Sequence, residues 1–323
     1  MFMNTIACKI CENIQNNKLY KVKEMQLGLR EEFEYLQCDN CGCMQLLNIP
    51  SNFEKYYPNE DYYSFNTEAN VAAKPNWLRK TKTDYLLYGK NPFLGKLFSI
   101  GYKIPEYYEW VKIPGVKRDD AILDVGSGNG ALLRDLFKIG FTNLTGIDPF
   151  LNKEMDVNKI KILKKNIFEI QGLYDFIMLH HAFEHMDEPV KVLMRLREML
   201  LPEKYILIRV PLMEMYGWKT YNTDWVGLDA PRHIFIHTIK SMKILARESG
   251  LEIKKIVFDS GPYHIWASEQ YKKDIPLMAT NSYMANPQNS FFNKADIKKI
   301  KKITDKTNLE QEGDQAAFYL YKP

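Results

Sequence analysis

The 323 residues are 46% hydrophobic and 26% charged, a globular composition that excludes wholesale disorder and leaves room for one large domain beside a smaller module. A formal charge of +4 is a mild excess, short of the basic patch of a nucleic-acid reader, so nucleic acid is not the expected partner. The sequence holds no apolar run of 18 residues and no signal-peptide core, and the expectation is a soluble, cytoplasmic protein without a membrane partner.

All five cysteines, Cys8, Cys11, Cys38, Cys41 and Cys43, fall at the start of the chain. Two Cys-x-x-Cys pairs supply four thiolates, and each two-residue spacer lets a tight knuckle turn both sulfurs toward one ion, so Cys8, Cys11, Cys38 and Cys41 are the expected ligands of tetrahedral Zn²⁺. Cys43 either replaces Cys41 or stands by. With four thiolates the shell is closed, and the metal is expected to be structural. Short β-like stretches at 20–25 and 33–36 complete a zinc ribbon over residues 1–50.

Residues 51–115 read as an aromatic-rich helical segment or lid. Phe53, Tyr56, Tyr57, Tyr62, Tyr63 and Phe65 are broken by Pro58, and residues 76–111 read as helices interrupted at Pro92 and Pro105. From 116 to 323 the pattern alternates. Strands are expected at 121–125, 144–147, 160–163, 176–179, 205–210, 251–258 and 316–321, and helices at 131–139, 189–200 and 238–249. The lysine-rich stretch 294–306 reads as a solvated amphipathic helix. Such a series predicts an α/β fold, a Rossmann-like, mostly parallel seven-stranded sheet with helices on both faces, preceded by the small ribbon.

The first expected strand runs into Asp124-Val125-Gly126-Ser127-Gly128-Asn129-Gly130, just before a helix. Glycines there let the backbone turn sharply and approach a ligand at a helix N-terminus. Asp148 ends the next strand, where a carboxylate can accept both hydroxyls of a ribose. Gly126-x-Gly128-x-x-Ala131 also satisfies a dinucleotide fingerprint, so the loop alone does not choose the nucleotide.

Context chooses it. The stretch 124–130 resembles the first motif of class I S-adenosylmethionine-dependent methyltransferases, and Gly146-Ile147-Asp148 the second. The likeness continues through 174–177, 183–189 and 200–208, and the cysteine pairs, the tyrosine-rich run and Ala230-Pro231-Arg232-His233 narrow it to the zinc-ribbon subset of that superfamily. Two departures stand out. Glu203 replaces the glycine after the proline of a turn, and Asn166 replaces the acid of the third motif. The resemblance implies S-adenosyl-L-methionine as cofactor, with Gly126, Ser127 and Gly128 beside its methionine part, Asp148 on the ribose, Asn166 and Ile167 at the adenine, and Asp124 organising the motif. Pro149 and Phe150 are placed to pack on the adenine face, or in plain core.

Three of the six histidines cluster after the fourth expected strand, with Glu184 among them, at the sheet edge where open α/β folds bind ligands. Methyl transfer needs donor and acceptor in line, and a base if the acceptor must lose a proton. His185 or His181 is the candidate base, and His181 is also placed among the residues expected to contact the cofactor. His233 is a second candidate, with acceptor orientation as its natural role. His180 also reads as a strand-end packing residue and Glu184 as a helix cap, and a zinc site from this cluster lacks an outlying ligand in the sequence. Arg232 suits either an anionic substrate or a structural partner, and Trp218, Tyr221 and Trp225 suit stacking on a sugar or a lid that excludes water.

The expected activity is methyl transfer to a small-molecule or sugar-like acceptor. A competing enzyme is an NAD-dependent reductase on the same glycine loop, and the sequence shows no Tyr-x-x-x-Lys pair to relay its proton. A third reading is a non-catalytic zinc-ribbon binding module: Lys9, Lys18, Lys21 and Lys23 favour it, while Glu24, Glu31, Glu32 and Glu34 argue against a phosphate-tracking surface.

Overall fold

A computed structural model describes residues 6–57, 77–157 and 159–323; Pro58, Tyr62, Tyr63 and Phe65 lie outside the described residues. The chain begins with β1 (Lys18–Lys23), β2 (Glu32–Gln37) and β3 (Met44–Leu46), followed by a single 3-10 turn at Phe53–Tyr56. Three helices come next, α1 (Trp77–Tyr88), α2 (Pro92–Phe98) and α3 (Tyr107–Lys112). Pro92 occupies the first turn of α2, where its missing N–H costs nothing.

The α/β part then runs β4 (Ala121–Val125), α4 (Ala131–Lys138), β5 (Asn143–Ile147), β6 (Met155–Val157), β7 (Ile160–Leu163), β8 (Tyr174–His180), α5 (Pro189–Met199) and β9 (Leu200–Pro211). It ends with α6 (Tyr216–Tyr221), β10 (Phe235–Ile236), α7 (Ile239–Glu248), β11 (Glu252–Phe258), α8 (Tyr263–Tyr271), α9 (Lys294–Leu309) and β12 (Gln315–Tyr321).

The large sheet has the order β11-β12-β9-β8-β4-β5-β7-β6. Strands β7, β5, β4, β8 and β9 are mutually parallel, and β12 lies antiparallel between β9 and β11. This is the Rossmann order with its last strand slipped between the fifth and sixth. All seven expected strands are present. The sheet has eight, not seven: the three-residue β6, antiparallel to β7 at the edge, is too short and too polar to show a period in the sequence.

Alternation along each strand sorts the core into two layers. Leu123, Val125, Ile177 and Leu179 face α5 and α7 through Leu193, Leu196, Met242 and Leu245. Ile122, Phe176 and Met178 face α3 and α4 through Tyr108, Val111, Leu133 and Leu136. The first layer is continuous with the ribbon, through Val22, Tyr35, Leu36 and Met44.

The ribbon sheet is β1-β2-β3-β10, and its fourth strand comes from residues 235 and 236. The ribbon is therefore stitched into the loop that follows β9. Trp218, Tyr221 and Trp225 are all largely buried: Trp218 meets Tyr20 of β1 edge-on at 5.1 Å, Tyr221 donates to Glu269 of α8 at 3.0 Å, and Trp225 packs over Gly217 and Gly227. None of them lines the cavity at the carboxyl edge of the large sheet, so they are packing residues, which corrects the stacking and lid expectations for them.

Candidate functional site

The strand β4 delivers the chain to the glycine loop at the carboxyl edge of the sheet. The Gly126 and Ser127 amides donate to the Ile147 carbonyl at 2.8 and 3.1 Å, which ties the loop to the end of β5. Gly126 has φ +76°, and a Cβ there would stand 2.5 Å from the Ala182 Cβ, so only glycine lets this loop meet the segment after β8. Gly130, at φ +77°, opens α4 against Ile162 in the same way.

Asp148 closes β5. Its carboxylate accepts from the Gly128 amide at 3.0 Å and the Phe150 amide at 2.9 Å, while burial raises its pKa above the ordinary carboxylate range. Asp124, beneath the loop, is fully enclosed, and burial with the nearby Asp148 charge pushes it up to about 8.

A cavity of about 760 Å³ opens on this edge. Its wall takes in Gly126, Gly128, Asp148, Pro149, Phe150, Asn166, Ile167, His181, His185 and His233, so the structure brings the expected donor residues and the expected histidines to one space. Ser127 and Asp124 are not part of that wall. The Asn166 side-chain oxygen already accepts from the Phe168 amide at 2.9 Å.

The histidines sit around Glu184, in a 3-10 turn, Phe183–His185, directly after β8. Glu184 is fully buried and far from capping α5, whose N-cap residue is Glu188; the capping expectation is corrected. Burial opposes its charge, but the His181 hydrogen bond and the imidazoles of His181, His185 and His233 outweigh it and hold its pKa at about 2. His181 donates from Nδ1 to Glu184 Oε1 at 3.3 Å and accepts from Arg209 at Nε2, 3.0 Å. Its φ of +52° is left-handed, a strained setting for histidine, and both ring nitrogens are engaged.

His185 donates from Nδ1 to the Arg232 carbonyl at 2.8 Å, with Tyr57 Oη 3.2 Å from the same nitrogen. His233 donates from Nδ1 to the Gly227 carbonyl at 2.9 Å, and its Nε2 lies 3.9 Å from Glu184 Oε1. The two rings meet edge to face at 4.8 Å. Burial lowers the His233 pKa. His180 does not join them: its ring packs on Trp110 at 4.2 Å, and burial takes its pKa well down.

Arg232 turns away from the cavity. It is fully buried and pairs with Asp229 at 2.7 Å and Glu24 at 3.0 Å, so the structural role among the two considered is the one it fills. Sequence reasoning missed Asp229 and the ribbon residues Gln26 and Leu27 as cavity walls, and the part of Tyr57, which stacks on Phe150 at 5.4 Å and 8°. Only the aromatic run hinted at Tyr57.

In the ribbon, the Cys8–Cys41 and Cys11–Cys38 sulfur pairs are 3.6 and 3.4 Å apart, and all four sulfurs lie within 4.8 Å of one another. A tetrahedral ion with Zn–S bonds of about 2.3 Å needs sulfur separations of about 3.8 Å, so this donor set fits Zn²⁺. The Cys43 sulfur instead lies 3.5 Å from the Met44 carbonyl.

Residues 111–256 match the family model of the methyltransferase domain. Human EEF1A lysine methyltransferase 2 is 46% identical over 100 residues, covering 31% of this chain and 41% of that protein. An uncharacterized killer plasmid pGKl-2 protein 3 of Kluyveromyces lactis is 26% identical over 179 residues, covering 52% of this chain and 28% of that one. The chain thus spans about a quarter to two fifths of the length of these curated relatives. Among solved structures, mycolic acid cyclopropane synthase CmaA1 complexed with SAH and CTAB aligns at 13% identity with a TM-score of 0.45, over 77% of this chain and 99% of that one. No helix among the described residues is long and apolar enough to cross a membrane. Residues 111–256 thus match a methyltransferase domain, carried here on the glycine loop and a Rossmann order with its last strand inserted antiparallel.

Proposed function

We propose that the chain transfers a methyl group from S-adenosyl-L-methionine to a small-molecule acceptor bearing a polar head and an apolar body, with Zn²⁺ held structurally by Cys8, Cys11, Cys38 and Cys41. The observation that carries this reading is the single cavity joining Gly126, Gly128 and Asp148 to His185 and His233. The donor's methionine part lies along 126–128 with Ser127 beneath, its ribose hydroxyls donate to Asp148, and Pro149, Asn166 and Ile167 flank the adenine. Asp148 keeps a lone pair on each oxygen for this after its two backbone bonds.

Transfer is an in-line displacement. An acceptor electron pair forms the new bond to the methyl carbon while the carbon–sulfur bond breaks with its pair passing to sulfur, leaving S-adenosylhomocysteine. Activation of the acceptor falls to His185 and His233, whose Nδ1 protons are committed to carbonyls and whose Nε2 electron pairs are therefore available. His181, with both nitrogens engaged, positions Glu184.

The rest of the wall favours a small acceptor. Leu27, Leu277, Met278 and Met284 contribute apolar surface from the ribbon and from the segment after α8, a lining suited to enclosing a compact molecule. The name of the human relative supports a second reading, a lysine side chain of a protein. Incubation of a cell extract with isotopically labelled methyl donor decides between them: label in low-mass metabolites supports the small-molecule reading, and label confined to protein overturns it.

A further inference from the structure

We propose that Glu184, His185 and His233 form a second metal site, holding a divalent transition-metal ion in the cavity wall and presenting it to an oxygen of the methyl acceptor. The use of the ion rests on the methyltransferase reading; its binding does not.

The three side chains each offer a ligand atom, and these atoms lie within 4.8 Å of one another, a spread that small side-chain rotations close onto bonds of about 2.0–2.2 Å. Glu184 Oε1 is the oxygen nearest His233 Nε2, at 3.9 Å, and Oε2 of the same fully buried side chain has no hydrogen-bond partner among the described residues. A buried carboxylate oxygen without a donor is a costly arrangement unless a cation meets it.

The imidazoles supply the independent observation. A carbonyl only accepts, so the contacts to Arg232 and Gly227 fix the proton of each neutral ring on Nδ1 and leave Nε2 as a bare electron pair. Metal-binding histidines are held in this manner, the far nitrogen donating to a backbone carbonyl. His181 adds the matching support for the carboxylate, donating to Glu184 Oε1 from a ring itself anchored by Arg209. Two imidazole lone pairs and a carboxylate thus converge with no donor among them, and a cation is what such a set accommodates.

Two imidazoles with one carboxylate leave coordination positions open, as catalytic metal sites require. His185 and His233 line the cavity while Glu184 lies behind them, so the open positions face the acceptor. The ligand class is an acceptor with a hydroxyl or enolisable carbonyl oxygen. The ion fixes that oxygen and lowers its proton affinity, and with the ion bound the two imidazoles act by coordination. His233 is the outlying ligand that linear sequence conceals, since it reaches the cluster from the loop after β9.

The test uses the full chain with zinc in its ribbon, cleared of other metal with EDTA and titrated with Co²⁺ under visible absorption. One equivalent is expected to bind with the bands of nitrogen and oxygen ligation and without the thiolate charge-transfer band that exchange into the ribbon would give. Glu184→Gln and His233→Asn are expected to weaken uptake at least about 100-fold, with S-adenosylhomocysteine affinity by calorimetry within about twofold of wild type. Should either variant fail to fold by circular dichroism, His185→Asn replaces it. No Co²⁺ uptake by the wild-type chain outside the ribbon, or uptake unchanged in the variants, overturns the site. A chain that binds S-adenosylhomocysteine but not Co²⁺ overturns the site alone, and one that binds Co²⁺ but not S-adenosylhomocysteine overturns the donor reading alone.

Discussion

Glu24 in the ribbon and Arg232 in the loop after β9 form an ion pair at 3.0 Å in which neither side chain has any exposed surface. Asp229 completes it at 2.7 Å, and the Glu24 carboxylate also accepts from the Leu27 and Leu29 amides. The charges are therefore satisfied on both sides. Removing one partner strands the others in a dry interior, a loss of about 3–5 kcal/mol. Arg232→Ala is expected to lower unfolding free energy by that amount in urea titrations. A change below about 1 kcal/mol would show that the pair is not desolvated.

The same loop carries His233, and the ribbon grips it directly: Tyr35 Oη donates to the His233 carbonyl at 2.8 Å, and Leu46 N donates to the Ile234 carbonyl at 2.8 Å. Loss of the ribbon ion should reach the acceptor side of the cavity before the donor side. Cys38→Ser is expected to lower kcat by at least about tenfold while the S-adenosylhomocysteine dissociation constant moves less than about threefold, because the glycine loop is held by β5 instead. Equal losses in both would mean that the ribbon supports the whole fold indiscriminately.

Asp148 gives the donor-side test. Asp148→Ala should weaken S-adenosylmethionine binding by about 1.5–3 kcal/mol, the range for hydrogen bonds to a charged group. Because burial raises the Asp148 pKa, the carboxylate form that accepts the ribose hydroxyls is lost sooner on acidification than at an ordinary aspartate. Affinity should fall as pH drops toward the acid range, and the fall should vanish in Asp148→Asn. A flat pH profile in the wild-type chain would remove Asp148 from the ribose.

Much of this was legible in the sequence because it is local. The glycine loop, Asp148 and the cysteine pairs are each a few residues at fixed spacing, and the seven main strands announce themselves by apolar runs between turns. What stayed hidden is what only folding brings together. Nothing in the spacing of His185 and His233 says that their rings meet at 4.8 Å, and residues 235 and 236 are too short a stretch to read as the ribbon's fourth strand. Arginine is almost never fully buried unless paired, and the partner that lets Arg232 be so, Glu24, lies 208 residues away in sequence. Glu184 reads as a cap in the sequence because an acidic side chain just ahead of a helix favours its N-terminus, and only its burial shows otherwise.

The histidine pair makes the kinetic prediction. His185→Ala is expected to lower kcat by about 10²–10⁴, the range for a group that activates the acceptor, and His233→Ala by a comparable factor because both Nε2 atoms face one space. Neither contacts the glycine loop, so donor affinity should hold. If both variants keep wild-type kcat, the acceptor is activated elsewhere or needs no activation.

Buried carboxylates set the alkaline limit of stability. Asp314 accepts from the Gly217 amide, and burial pushes its pKa up to about 7, with Asp124 at about 8. Unfolded, both return to about 3.9. Between those values the native state holds protons that the unfolded state has released, so stability declines with rising pH until the native groups ionise in turn. Buried histidines work in the opposite sense: burial lowers His237 to about 4 and His264 to about 3, so the unfolded state binds the extra protons and stability rises with pH up to about 6.5. The two slopes nearly cancel between about pH 4 and 6, and beyond about 6.5 only the carboxylates contribute. The melting temperature should therefore be nearly flat at mildly acidic pH and fall from about pH 6.5 toward pH 8. Asp314→Asn keeps an acceptor for the Gly217 amide and removes the titration, so its melting temperature should decline less steeply over the same interval. An identical slope in the variant would show that Asp314 is ionised in the native state throughout.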